Sequence, residues 1–176
     1  MDHYRAILEL LCKHDIAYQV VNSGPEHAAQ LIGAIVRHSN KRVRVFANDM
    51  NGDISDAKGS TLVEDFKSAI ARDVRIEVML KGVPDSSSKL IEVLRDGVLS
   101  KPGNVIVKMA PEPFVTRMIS DDVANYFTLG DDCRFRREFD PVRHLASGNM
   151  NDPTEVTMLG KVFDSYFAEA KPLMGE

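Results

Sequence analysis

Two hydrophobic rhythms alternate along the first two thirds of this chain, one repeating every three to four residues and one every second residue. That alternation restricts the fold more than any other feature. Tyr4, Ile7, Leu8 and Leu11 fall at helical spacing and predict an amphipathic opening helix over residues 2–14, followed by a short strand from Ala17 to Val21. Ser23-Gly24-Pro25 supplies a cap and a proline near the first helical position. Ala28, Leu31, Ile32 and Ile35 then form the apolar stripe of a helix reaching about His38. Strand patterns follow at Arg42–Asn48, Val74–Leu80 and Asn104–Ala110, separated by two more helical patterns. The first is capped by Ser60 and carries Leu62, Phe66, Ala69 and Ile70. The second follows Ser86–Ser88 and carries Leu90, Ile91 and Leu94. Strands alternating with helices of about a dozen residues form right-handed crossover units, and hence a parallel sheet with helices on its faces.

Beyond Pro111 the pattern changes. Arg117–Ser120, Val123–Leu129 and Arg134–Phe139 are short strand candidates, the last two joined as a hairpin through Gly130-Asp131-Asp132-Cys133. Asp152-Pro153 opens a long terminal helix with Val156, Leu159, Phe163, Tyr166, Phe167 and Ala170 on one face. The expected fold class is therefore α/β: a mostly parallel mixed sheet flanked by helices, with a C-terminal antiparallel hairpin and a long terminal helix. With 176 residues, 44% hydrophobic content and no low-complexity linker, one domain over 1–176 is the simplest organisation, residues 1–22 forming an N-terminal extension.

Several function classes are disfavoured. No apolar run of about 18 residues exists to span a bilayer, and the charged, helix-periodic N-terminus is unlike a secretion signal, so a cytoplasmic protein is expected. Cys12 and Cys133 make neither a C-x-x-C pair nor a disulfide framework, and no histidine pair has zinc-helix spacing, so neither metal nor cofactor is expected. A net charge of −4 argues against a dedicated nucleic-acid binder. Local basic clusters at Lys41, Arg42 and Arg44 and at Arg134, Arg136 and Arg137 leave nucleic acid open. Lys58-Gly59-Ser60-Thr61 has the wrong residue order for a phosphate loop, and Asp49, Asn51, Asp53 and Asp56 lack the spacing of a calcium loop. That acidic loop nevertheless follows a parallel strand, where open α/β sheets present ligands, which makes Asn48 and Asp49 candidates for a site rim.

Arg134, Arg136 and Glu138 alternate with Phe135 and Arg137 and must share one strand face, either solvated or available for phosphate or salt bridges. Three segments together resemble the phospholipase D-like superfamily: HAAQLIGAIVRHSNKRVRVFAN, FKSAIARDVRIEVML, and FTLGDDCRFRREFD followed by ASGNMNDP, read as motif strand, adjoining strand and a polar turn before the last helix. The family hallmark is His-x-Lys-x-x-x-x-Asp. Placing its aspartate on Asp131 puts Ala124 in the histidine position and Tyr126 in the lysine position.

The resemblance implies phosphoryl transfer through a histidine nucleophile, with a second histidine protonating the leaving group. Without the imidazole that covalent route is closed. None of the five histidines, His3, His14, His27, His38 and His144, has lysine two positions later. The expectation is thus a non-catalytic phospholipase D-like module that serves interaction or binds an anionic, phosphate-containing ligand or a protein partner. Its expected ligand-binding residues are Tyr126, Asp131, Arg134, Arg136, Glu138, Ser147, Asn149 and Asn151. The resemblance further implies a twofold homodimer, and similar small proteins occur in bacterial accessory and defence settings. The alternative is a divergent metal-independent phosphodiesterase or nuclease using His144 with Asp131. A receiver-like regulatory domain fits less well, because Asp49 lacks an acidic pair before it.

Overall fold

The computed structural model describes residues 2–84, 86–120 and 123–174, with the backbone alone at Asp2, Ser120, Val123 and Ala124. In chain order the elements are α1 (Asp2–Lys13), β1 (Gln19–Asn22), α2 (Pro25–His38), β2 (Arg42–Ala47), α3 (Leu62–Ala71), β3 (Arg75–Leu80), α4 (Lys89–Ser100) and β4 (Val105–Met109). They continue as α5 (Glu112–Met118), β5 (Ile119–Ser120), β6 (Val123–Ala124), β7 (Tyr126–Gly130), β8 (Arg134–Asp140), β9 (Leu145–Asn149), α6 (Pro153–Phe167) and β10 (Lys171–Pro172). Eight strands form one sheet in the order β1-β9-β8-β7-β2-β3-β4-β10, while β5 and β6 pair separately. β2, β3 and β4 run parallel. β7, β8, β9 and β1 extend the sheet antiparallel from β2. This is the α/β architecture that the strand and helix rhythms predict. Among the described residues, no helix is long and apolar enough to cross a membrane.

The period-two pattern sorts side chains to two helical layers. Val43, Val45, Ile76, Val78, Val105 and Val107 pack under α2, α3 and α4. Phe46, Met79, Phe127, Leu129 and Phe135 emerge on the other face, against Phe114 of α5 and Val156, Leu159, Phe163 and Phe167 of α6. Each such aromatic side chain contributes about 1.5–3 kcal/mol on burial. Asp152 caps α6, its carboxylate accepting from the Glu155 N–H at 3.1 Å, and Pro153 occupies the first turn.

Three local expectations are corrected. The strand expected over Arg117–Ser120 is half helix: Pro111 and Pro113 initiate α5, and Phe114 and Met118, four apart, bury one face, leaving Ile119–Ser120 as strand. The first half of the polar turn expected at ASGNMNDP belongs to β9, which hydrogen-bonds to both β8 and β1. Its small residues serve close approach, since a Cβ on Gly148 would lie 2.7 Å from the Phe135 carbonyl oxygen and 3.1 Å from Leu31 of α2. Helix α3 starts at Leu62, one residue later than Ser60 would cap it, and the Ser60 hydroxyl accepts from the Leu62 N–H at 3.3 Å.

Candidate functional site

The hairpin β7–β8 builds one wall of a cleft. Its register sets Tyr126 opposite Glu138 and Thr128 opposite Arg136, so these four side chains form a patch on the α2 side of the sheet. The loop after β2 lines the rest. The cleft, of about 200 Å³, is bounded by Asn48, Asp49, Asn51, Asp53, Pro141 and His144 together with that patch, and by apolar Ile32, Val45, Leu62, Phe66 and Leu90. It lies at the carboxyl end of β2, where parallel strands present ligands.

A closed polar network supports this wall. Arg136 Nη2 donates to Glu138 Oε1 at 2.6 Å, and its Nε donates to Asn22 Oδ1 at 3.1 Å. Asn22 in turn donates to the His144 carbonyl at 2.7 Å, and His144 Nδ1 lies 3.3 Å from the same Glu138 oxygen. Asn22, Arg136 and Glu138 are buried, so the solvated strand face is not what forms: the alternating charges became an internal ion pair. His144 holds φ at +50°, a left-handed conformation that the Asn22 contact to its carbonyl helps fix. The Tyr126 hydroxyl donates to Asn48 Oδ1 at 3.4 Å. Burial raises the Tyr126 phenol above its ordinary value, and the negative charges of Glu138 and Asp49 raise it further. Behind Arg136, burial pushes the Tyr4 phenol up to about 12 against the guanidinium's opposing pull.

Of the sequence-predicted site residues, Tyr126, Arg136, Glu138 and His144 meet at this cleft, with Asn48 and Asp49 on its rim. The others lie elsewhere. Asp131 follows the far end of β7, about 17 Å along the strand from Tyr126 at ~3.4 Å per residue. Its carboxylate accepts backbone N–H bonds from Asn40 at 3.0 Å, Lys41 at 2.8 Å and Arg42 at 3.1 Å, closing the connection from α2 into β2. Arg134 ion-pairs with Asp15 at 2.8 Å and stands 3.6 Å from Asp131. At the same end Asn149 accepts the Tyr18 N–H, and Asn151 donates to the Asp15 carbonyl. Ser147 stands opposite Arg137 and Val21 in the register, with the face turned away from the cleft. The side chain of Ala124, at the hallmark's histidine position, lies outside the described residues.

Sequence reasoning missed Asn22 and Thr128. Thr128 was reachable, since it alternates with Tyr126 on one strand. Asn22 carried no signal, because its partner Arg136 is 114 positions away.

Among the described residues lining the cleft, three carboxylates (Asp49, Asp53 and Glu138) face one guanidinium and one imidazole. The imidazole is oriented by a carboxylate, as a general base would be, yet no second imidazole accompanies it.

A sheet of parallel and antiparallel strands between helical layers, with a hairpin leading to a terminal helix, defines an α/β class with known structural counterparts. No family model matches the sequence, and no curated protein does. Solved structures match by shape. Nuc from Salmonella typhimurium, a phospholipase D family member, superposes with a TM-score of 0.60 at 10% identity, covering 90% of this chain and 100% of that one. NucT from Helicobacter pylori gives 0.59 at 9% identity with the same coverages. TrmBL2, an archaeal chromatin protein with a novel mode of DNA binding, gives 0.59 at 14% identity; the likeness covers 98% of this chain but 62% of the chromatin protein. The chain has the phospholipase D-like fold.

Proposed function

We propose that this chain is a non-catalytic phospholipase D-like binding module whose cleft holds a small polar ligand. The observation that carries this reading is Tyr126, a neutral phenol hydrogen-bonded to Asn48, standing where the hallmark has its phosphate-neutralising lysine. Arg136, the one guanidinium among the described residues lining the cleft, is already committed to Glu138 and Asn22, and Asp49 and Asp53 add negative charge. A phosphate there meets an uncompensated field, so the ligand of this reading is polar and not anionic. Pairing of two copies belongs to the same proposal, supported by Tyr18 and Val21 standing exposed at edge strand β1. Light scattering of the purified protein tests it.

A second reading has one observation in its favour: Glu138 orients His144, as an activated base requires. Both are decided by metal-free hydrolysis of bis-p-nitrophenyl phosphate and of DNA. The module reading expects no turnover from folded protein. Turnover abolished by His144→Ala defeats it.

A further inference from the structure

The cleft carries more chemical information than its size. We infer that it is a site for a small aliphatic amine, bound as a cation, an inference that rests on reading the cleft as a binding site. Glu138 is 5% exposed and lines the cleft. Its Oε1 takes both Arg136 and His144, while its Oε2 has no partner among the described residues. Nor is that oxygen sealed away like the buried orphans Tyr4 Oη, Gln30 Oε1, Ser88 Oγ and Arg134 Nε. Thr128 is 2% exposed, also lines the cleft, and its hydroxyl likewise has no partner among the described residues. A carboxylate oxygen and a hydroxyl on two nearly buried residues, both lining the same small space and neither paired among the described residues, are open to a donor from outside the chain.

Charge selects the kind of donor. Arg136 cancels Glu138 internally, which leaves Asp49 and Asp53 in excess on the rim. The Tyr126 hydroxyl feels both Glu138 and Asp49, so the negative groups converge on one place. An ammonium group donates three hydrogen bonds and accepts none, which matches two acceptors beside surplus carboxylate. The remaining wall is aliphatic and aromatic, suited to a methylene stem. A volume of about 200 Å³ holds about seven water-sized groups, the scale of a four-carbon amine. A hydrated metal ion has no use for that apolar wall.

The test is isothermal titration calorimetry of the intact chain with 1,4-diaminobutane, n-butylammonium, glucose and inorganic phosphate, beside a hydrolysis assay on the same preparation. Saturable binding of the amines is expected, weakened about tenfold or more by Asp49→Asn and by Thr128→Val. Asp49 sits on the rim and its substitution leaves the buried network untouched, so folding does not confound that arm. Binding of phosphate or glucose more tightly than either amine overturns the inference, as does absence of saturable heat at millimolar amine. Unchanged amine affinity in both variants overturns it too. Amine binding by a protein that also hydrolyses the diester defeats the non-catalytic reading alone. Neither hydrolysis nor amine binding defeats the amine site alone.

Discussion

Asp131→Ala separates a structural from a chemical role for the carboxylate that follows β7. The carboxylate ties down three consecutive backbone N–H groups at 2.8–3.1 Å, and its side chain is 14% exposed. Hydrogen bonds to a charged acceptor contribute about 1.5–3 kcal/mol each. Asn40 and Lys41 are exposed, so water takes over part of what they lose. Asp131 also holds φ at +49°, a conformation Asp and Asn tolerate better than Ala. The net loss for Asp131→Ala is therefore about 2–4 kcal/mol, and for Asp131→Asn, which keeps the bonding oxygen and suits the backbone, about 1 kcal/mol. Urea unfolding measures both, with stability read from the midpoint at unchanged slope. Ligand binding at the cleft, about 17 Å away along β7, stays as in the parent protein. An Asp131→Ala variant within about 0.5 kcal/mol of the parent refutes the reasoning, as does Asp131→Asn being equally damaging.

Three further outcomes follow from the geometry. Gly160→Ala tests how α6 lies on the sheet: helix propensity alone predicts a gain of about 1 kcal/mol, but the new Cβ displaces the Arg44 guanidinium, so thermal unfolding is expected to show less than that gain. Arg136→Ala leaves the buried Glu138 carboxylate facing only His144, costing about 3–5 kcal/mol by guanidinium chloride unfolding. Burial opposes ionisation of Glu9, but hydrogen bonds from His38 and Arg37 outweigh it and hold the carboxyl below its ordinary 4.5. A carboxyl depressed by folding stabilises the protein above its unfolded value and loses that contribution as pH falls through its folded one. Glu9→Gln therefore lowers the melting temperature near neutral pH, and the two melting curves converge well below pH 4.5.

What could be read from the sequence was what neighbours along the chain decide. The alternation at Arg134, Arg136 and Glu138 correctly put three charges on one face. Whether that face was wet depended on Asn22 and on the loop after β2, both far off in sequence. The segment from Ala146 to Asn149 looked like part of a turn because Ser, Gly and Asn favour turns. It is a strand because α2 rests against Gly148, a contact no local pattern announces. Beyond Pro111 a change of pattern was legible, but not that the prolines at 111 and 113 begin α5. Asp131 shows the same division from the other side. Its work, closing three amides where α2 passes into β2, needs neither an imidazole nor an ammonium on β7, so its presence reports the fold and says nothing of turnover. Chemistry has to be judged at the opposite end of that strand, where Tyr126, Glu138 and Asp49 bring a phenol and two carboxylates to one cleft.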